Sequence, residues 1–407
     1  MKKNTLKEYA RLIAQKGVNV QKGQEVWITA SLDQPAFVEM LVKECYSLGA
    51  KEVAVDWQHD PLTVLDSKYM SQDAMNETKD WQIEKMKYQT KTLPARIYLD
   101  SEDPDGLKYA RQDKISKAKM AKYPIRKPYI DDMDNKYQWC IASVPGVAWA
   151  KKVFPGERAS LAVEKLWQAI LFASRAQSDA IENWNRHNAD LHSKCDYLNS
   201  LGLKYLEYSS SNGTNLKVEL LENANFLAGS EKTLQGVEFN PNIPSEEVFT
   251  TPKAGSVEGV VYATKPLSYQ GALIENFHLI FKDGRVCEVH AEKNQDLLKQ
   301  MISMDEGAKM LGECALVPQN SPISNSGILF YNTLFDENAS CHLALGRGFS
   351  NCIKNYQNYS QKEFDEMGVN TSMIHVDFMI GADDMDIVGV CKDGKRAQIF
   401  KNGNWAF

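Results

Sequence analysis

The sequence predicts two domains: an α/β N-terminal domain with a parallel sheet, and a mixed, mostly antiparallel α+β C-terminal domain. The chain has 407 residues, which is enough for two or three domains. In its first half, hydrophobic patterns of strand and helix alternate. In its second half, short strands are separated by Asp-Gly and Asn-Gly turn dipeptides. We expect the domains to cover residues 1–195 and 196–407.

A strand–helix–strand unit opens the N-terminal half. Residues 25–30 and 52–57 are predicted strands, and between them a helix begins near Pro35. This order is typical of a βαβ unit, which has parallel strands and a right-handed crossover. Residues 96–100 and 139–144 are two further candidate strands. The predicted helical stretches of this half are residues 105–121, 158–174 and 178–198.

Turn chemistry defines the C-terminal half. Lys-Asp-Gly sequences within residues 282–285 and 392–395, and Lys-Asn-Gly within 401–404, predict three hairpins. Two-residue hairpin turns need positive φ angles, which Asn and Gly adopt readily. Two helices are expected among the strands, at residues 293–302 and 304–311.

Composition excludes several classes of protein. The 53 acidic and 47 basic residues give a net charge of −6, which is not the electrostatic footprint of a nucleic-acid-binding protein. No apolar run approaches the ~20 residues of a membrane span, and the N-terminus lacks a signal-peptide core. Eight scattered cysteines without a CxxC pair favour reduced thiols. We therefore expect a cytoplasmic protein without nucleic-acid or membrane partners.

Common nucleotide and hydrolase motifs are missing from the sequence. It contains no GxGxxG after the first strand, no Walker loop, no GxSxG elbow and no HExxH. The N-terminal parallel sheet is therefore not predicted to bind a nucleotide.

Histidines and carboxylates recur in the C-terminal half. Side chains alternate along a strand, so His375 and Asp377 are predicted to share one face. Such a pair makes half of a metal site, although a simple His–Asp hydrogen bond is the alternative. His342 begins a short apolar strand and is either a ligand or a half-buried histidine. Glu313 opens an apolar run; if buried it needs a cation, a metal or a proton, and the alternative is an exposed edge residue.

Two adjacent acids, Glu246 and Glu247, precede a short apolar pair. On an extended chain they face opposite ways, so one at most points into a shared site; the alternative is two solvated acids. Two imidazoles with several carboxylates suit zinc, cobalt or manganese. A bridging carboxylate can hold two ions ~3.5–4 Å apart, an arrangement found in aminopeptidases, phosphatases and nucleases.

Four C-terminal segments, in this order, resemble one family. They are residues 244–252 (PSEEVFTTP), 312–317 (GECALV), 342–346 (HLALG) and 375–381 (HVDFMIG). Together they look like the aminopeptidase T / aminopeptidase S metallopeptidases, often called thermophilic aminopeptidases. The resemblance covers nearly the whole chain.

The resemblance implies a dimeric, dinuclear metal-dependent aminopeptidase that hydrolyses N-terminal amino acids from peptides. Its two divalent ions, for which Co, Zn, Mn and Mg are the candidates, would lie in the C-terminal catalytic domain. The implied ligands, matched motif by motif, are Glu247, Glu313, His342, His375 and Asp377, and Glu337 matches a further acidic ligand position of some members. Glu313 would bridge the ions. Glu246 is a candidate for the catalytic carboxylate that accepts the proton of water.

One position departs from the family pattern. The family commonly has a tyrosine shortly after HLALG, where this sequence has Phe349. If that hydroxyl stabilises an oxyanion, its loss costs about 10²–10³ in rate. The substitution keeps open a second function, a catalytically weak metal- or peptide-binding relative. A two-metal phosphoesterase is disfavoured because no arginine cluster for phosphate is evident.

Overall fold

The computed structural model describes residues 1–101, 103–270 and 272–407, which divide into two units. The first unit comprises Met1–Arg186 and Ser230–Pro244, and the second comprises His187–Gly229 and Ser245–Phe407. The division falls within a long helix, Ala180–Ser200. The boundary expected between residues 195 and 196 stays a prediction.

Helices and strands are numbered in chain order. The α-helices are α1 (Lys3–Leu12), α2 (Pro35–Ser47), α3 (Asp60–Tyr69), α4 (Gln72–Asn76), α5 (Asp80–Thr92), α6 (Gln112–Met133), α7 (Val147–Val153), α8 (Ala159–Ala173), α9 (Ala180–Ser200), α10 (Gln295–Ile302), α11 (Pro322–Asn325), α12 (Thr333–Glu337) and α13 (Gln361–Met367). Shorter helical turns are Ile13–Gly17, Gly307–Lys309, Ser350–Cys352 and Tyr356–Asn358. None of the described helices is both long enough and apolar enough to cross a membrane.

The strands form a nine-stranded and a five-stranded sheet in the second unit, a five-stranded sheet in the first unit, and one two-stranded sheet. They are β1 (Glu25–Ser31), β2 (Glu52–Gln58), β3 (Ala95–Asp100), β4 (Trp139–Ser143), β5 (Leu203–Ser209), β6 (Asn215–Leu220), β7 (Leu227–Ala228), β8 (Glu231–Lys232), β9 (Glu238–Phe239), β10 (Asn242–Ile243), β11 (Val248–Thr250), β12 (Pro252–Tyr262), β13 (Leu267–Tyr269), β14 (Ala272–Lys282), β15 (Arg285–Lys293), β16 (Leu311–Leu316), β17 (His342–Gly346), β18 (His375–Met379), β19 (Asp386–Cys391), β20 (Arg396–Lys401) and β21 (Asn404–Trp405).

A five-stranded sheet of order β10-β4-β3-β1-β2 forms the first unit, and all its strand pairs are parallel. The predicted βαβ unit is β1-α2-β2. Tyr9 of α1, Phe37 of α2 and Trp167 of α8 pack together, with ring centroids 5.5–6.2 Å apart. These three aromatic side chains join the helices into one buried layer.

Antiparallel pairing dominates the second unit. One sheet has nine strands, and the other has the order β18-β17-β16-β11-β7. The three hairpins predicted from turn dipeptides are present as β14–β15, β19–β20 and β20–β21. Apolar side chains between the sheets, such as Leu206, Val218 and Leu343, are fully buried. The predicted fold class, parallel α/β followed by mostly antiparallel α+β, is confirmed.

Two predicted helices differ from the structure. The expected helix at 304–311 is only a short turn, Gly307–Lys309, followed at once by β16. The carboxylate of Asp305 accepts hydrogen bonds from the backbone N–H groups of Ala308 and Met373, which fixes the chain in a turn. The stretch expected at 105–121 begins as a helix only at Gln112, and α6 continues to Met133 through two prolines.

Substitution of Gly346 tests whether the close approach of β17 and β18 requires a glycine. It has a φ of +106°, pairs with His375, and a Cβ there would lie 2.1 Å from the Ile374 carbonyl oxygen. We expect Gly346→Ala to lower the free energy of unfolding by at least about 3 kcal/mol, from backbone strain plus overlap. Gly327, at φ +64° with open space around its Cβ position, is the matched control. Gly327→Ala should cost only about 1–2 kcal/mol in urea unfolding, and equal losses would contradict the prediction.

Candidate metal centre

Strand register brings the candidate ligands together. Glu313 on β16 and Asp377 on β18 both lie opposite Ala344 of the intervening strand β17. His342 is two residues from Ala344, so it shares that face of the sheet. The small Ala344 side chain leaves the carboxylates on either side room to meet above the middle strand. His375, two residues before Asp377, extends the cluster along β18.

The predicted neighbours His375 and Asp377 do share a face. Nε2 of His375 lies 3.2 Å from Oδ1 of Asp377 and 3.1 Å from Oε2 of Glu313. Nε2 of the other histidine, His342, lies 3.2 Å from Oε2 of Glu247, which directly precedes β11. Each imidazole therefore faces carboxylate oxygens from a different part of the chain.

Six residues form three overlapping groups of potential metal donors. Within each group, one donor atom per residue lies within 4.8 Å of the others. The groups are Glu247–Glu313–His342, Glu313–His375–Asp377 and Glu337–His342–Asp377. Glu313 belongs to the first two groups, which is the position expected of a bridging carboxylate. The six residues are those that the sequence motifs single out.

Backbone carbonyls orient both imidazoles. Nδ1 of His375 lies 2.7 Å from the carbonyl oxygen of Arg347, and Nδ1 of His342 lies 2.9 Å from that of Glu337. A carbonyl oxygen only accepts hydrogen bonds, so Nδ1 is the protonated nitrogen in the neutral rings. The lone pair is then on Nε2, which faces the carboxylates and is ready to bind a cation.

The cluster is buried, which excludes the solvent-exposed alternatives left open by the sequence for its carboxylates. Glu313 is 3% exposed, Glu247 7% and Glu246 6%, so none of them is a solvated or edge carboxylate. Buried carboxylates are costly unless positive charge or hydrogen bonds compensate them. Four carboxylates face two imidazoles here, and even two imidazolium ions would leave negative charge in excess. Oδ1 of Asp377 is buried and accepts no hydrogen bond of good geometry among the described residues, although the His375 imidazole lies 3.2 Å from it.

The pKa values reflect this excess of negative charge. Burial raises the pKa of Glu313 to about 7, although its hydrogen bond with His375 acts in the opposite direction. Burial and the nearby Asp377 and Glu247 raise the pKa of Glu337 well above its usual value. Burial alone would lower the pKa of His342, but the Glu247 carboxylate outweighs it and raises the pKa to about 10. Protons thus occupy part of the cluster when no cation is bound.

The donor set suits divalent cations. Carboxylate oxygens with imidazole nitrogens are ligands for zinc, cobalt and manganese, whereas magnesium takes mainly oxygen. The excess of carboxylates over imidazoles and the shared Glu313 both fit bound cations. The six predicted residues therefore form a plausible metal centre by geometry, and their assignment as ligands stays a prediction.

The other two predicted positions lie beside this cluster. Oε2 of Glu246 is 3.9 Å from Nε2 of His187, and the backbone N–H of Glu246 donates to Oδ1 of Asn338 at 2.6 Å. The Phe349 ring centroid lies 4.8 Å from that of His375. A hydroxyl added to this ring would therefore be close to the candidate ligands.

Several supporting groups were not identified from the sequence. The carbonyl oxygens of Arg347 and Ser340 contact the imidazoles, and Asn338 binds the backbone before Glu247. Backbone carbonyls carry no side-chain signal, so only the strand register reveals them. Asn338 was identifiable in principle, because it directly follows the candidate ligand Glu337.

Comparison with known proteins defines the class. Residues 2–405 match the family model described as "Thermophilic metalloprotease (M29)", so the chain belongs to this metalloprotease family. It is therefore a hydrolase of peptide bonds, as the sequence motifs predicted.

Characterised relatives span the whole chain. Aminopeptidase AmpS of Bacillus subtilis is 43% identical over 99% of this chain and 98% of its own. Aminopeptidase T of Thermus thermophilus is 36% identical over 99% and 98%. The solved structure of wild-type AmpT from Thermus thermophilus superposes with a TM-score of 0.89, at 35% identity and full coverage of both chains. The predicted resemblance to aminopeptidases T and S is confirmed.

Proton competition predicts how cation binding depends on pH. In the metal-free protein the raised pKa values keep Glu313 protonated below about pH 7 and His342 protonated below about pH 10. A cation must displace these protons, so its affinity should rise with pH, by about tenfold per pH unit for each proton displaced. Calorimetric titration of the metal-depleted protein with Co²⁺ at pH 6 and pH 8 checks this. Equal affinities at the two pH values would contradict it.

Proposed function

We propose that this protein is a dinuclear metal-dependent aminopeptidase that hydrolyses N-terminal amino acids from peptides. One observation carries the proposal: two donor groups, each with its own imidazole, share the buried carboxylate of Glu313. A pair of sites with a common carboxylate is the arrangement that two-metal hydrolases need. The family membership and the names of the relatives support peptides as the substrate class.

Each residue of the centre has a proposed role. Glu247 and His342 would hold one ion, and His375 and Asp377 the other, with Glu313 between them. Glu337, which forms a third group with His342 and Asp377, would complete the coordination. The bound ions would polarise the scissile carbonyl, lower the pKa of the attacking water and attract the substrate α-amine. Co, Zn, Mn and Mg are the candidate ions.

Proton transfer needs a carboxylate outside the ligand set. Glu246 is buried, adjoins Glu247 and belongs to none of the three donor groups formed by the described residues. We propose that its carboxylate accepts the proton of the attacking water and returns it to the leaving amine. Nε2 of His187 lies 3.9 Å from Oε2 of Glu246 and 2.6 Å from the carbonyl oxygen of Ser245, so this imidazole borders the proposed base. Full turnover by a Glu246→Gln variant with normal metal content would refute this role.

The cellular location and the oligomeric state are proposed together with the activity. All eight cysteines are free, and seven are buried, which fits a reducing compartment. We propose a cytoplasmic homodimer, the state that the family resemblance implies.

An aminopeptidase assay tests the proposed function. The wild type with added Co²⁺ should release the chromophore from leucine and methionine anilides, and His375→Ala should lower kcat/KM at least about a hundredfold. His290→Ala is the matched control, because that histidine lies on β15 with a side chain 53% exposed. A wild type that holds cations but cleaves no anilide would contradict the proposal.

Phe349 supports a second candidate, a catalytically weak relative that binds metal or peptide. Its ring lies beside His375 without the hydroxyl expected from the family pattern. If this hydroxyl normally stabilises the oxyanion, Phe349→Tyr should raise kcat about 10²–10³-fold. Phe349→Leu, which removes the ring without adding a hydroxyl, is the control and should not raise it. Unchanged kcat in Phe349→Tyr would remove the support for this candidate.

A further inference from the structure

One face of the parallel sheet in the first unit is unusually polar. Trp27 pairs with Arg96, and Thr29 pairs with both Asp56 and Tyr98, so these five side chains share a face. Strands of parallel sheets are ordinarily buried on both faces and nearly all apolar. On the opposite face of the same strands, Val26, Ile28 and Ile97 follow that rule. This polar face is therefore suited to a polar ligand.

Two cavities lie along this face. One has a volume of about 510 Å³ and is walled by Trp27, Arg96 and residues of α5 and α6. The other, of about 570 Å³, lies at the carboxyl ends of the strands. Both have Thr29, Gln58 and Tyr98 in their walls, so the two cavities adjoin along the sheet, and together they are called the trough below. The carboxyl ends of parallel strands are where open α/β sheets bind ligands.

The first cavity is basic. Lys122 and Arg126 stand one turn apart on α6, and Arg96 rises from the sheet. Lys85 also lines this cavity, but its positive charge is compensated because its ammonium group lies 2.7 Å from the carboxylate of Asp56. Nε of Arg96 is buried without a hydrogen-bond partner among the described residues, as is Oγ1 of Thr78 in the same wall. The positive charge of the cavity therefore comes from Lys122, Arg126 and Arg96, whose Nη2 also donates to Oε1 of Gln89 at 3.1 Å.

The second cavity is acidic. Its walls carry Asp33, Asp60, Asp100 and Asp103. Burial raises the pKa of Asp60 above its usual value, and repulsion from Asp103 adds to it. The donor groups with metal spacing among the described residues all lie in the candidate metal centre of the second unit, so this cluster does not have the geometry for a bare metal ion. An organic ammonium group suits a wider set of carboxylates.

The separation of the charged ends sets the length of the ligand. Arg96 at the basic end and Asp100 at the acidic end lie four residues apart on β3. At ~3.3 Å per residue they are about 13 Å apart, the span of roughly four residues of an extended peptide. Between them, Thr29, Gln58 and Tyr98 offer polar side chains to a peptide backbone.

We propose that this trough binds a short free peptide of about four residues as a zwitterion. Its ammonium group would lie among Asp60, Asp100 and Asp103, and its carboxylate against Arg96, Lys122 and Arg126. The site would be a second peptide-binding site, separate from the metal centre. It goes beyond the proposed hydrolysis and does not depend on it, since no candidate metal ligand takes part.

Calorimetry with blocked peptides tests the proposal. Metal-depleted full-length protein is titrated with tetraalanine, N-acetyl-tetraalanine and tetraalanine amide. Loss of one charged end removes charge-assisted hydrogen bonds, so each blocked peptide should bind about tenfold more weakly. Equal affinity for all three peptides, or no binding of tetraalanine at millimolar concentration, would overturn the proposal.

Amino-acid substitutions test which cavity holds each end of the peptide. In Lys122→Glu/Arg126→Glu, the free acid should no longer bind more tightly than the amide. In Asp60→Asn/Asp103→Asn, the free amine should lose most of its advantage over the acetylated one. Lys117→Glu/Lys119→Glu, the same charge change on exposed positions of α6, is the matched control and should bind like the wild type. Arg126→Gln serves if circular dichroism shows the double variant to be misfolded. Binding abolished by His342→Ala but kept by Lys122→Glu/Arg126→Glu would place the peptide at the metal centre and overturn the proposal.

Discussion

The structure of the second unit depends on the charge balance at one buried face of its five-stranded sheet. Glu313, His342 and Asp377 come from three neighbouring strands, and two further carboxylates approach from the loop before β11 and from the end of α12. The two imidazoles cannot neutralise this cluster, because four carboxylates face them. Burial, together with repulsion from Glu247, raises the pKa of Glu313, so protons supply part of the missing charge when no cation is bound. The apolar strands around the cluster therefore hold a site that is complete only when positive charge is bound.

The sequence predicted most of this arrangement through local rules. Alternation along one strand placed His375 beside Asp377, and turn dipeptides located the hairpins correctly. The ordered motifs then identified Glu247, Glu313 and His342 as a set, although each of them was ambiguous when considered singly. The predictions of the shared strand face and of the hairpins succeeded because a two-residue period and a tight turn depend on near neighbours alone. The ligand set stays a prediction.

What could not be predicted depends on register between distant strands. Ala344 has no chemistry of its own, yet its position opposite both Glu313 and Asp377 brings these two carboxylates together. The carbonyl of Arg347 orients His375 without any trace in the side-chain pattern. The predicted helix at 304–311 was wrong for a similar reason, because Asp305 binds the backbone of Met373, 68 residues away. Tertiary hydrogen bonds of this kind override local helix propensity.

Each of the two units contains a sheet in which polar side chains occupy positions that are ordinarily apolar. In the second unit, carboxylates replace apolar side chains where cations can be held. In the first unit, Arg96 and Tyr98 replace them beside Trp27, above a trough whose ends carry opposite charge. Polar residues at positions that are ordinarily apolar are expected at functional sites, so each of these two exceptions favours a bound ligand. Cations fit the first set of residues because its donor atoms converge within 4.8 Å. A longer ligand fits the second, because its charged groups are spread along a strand.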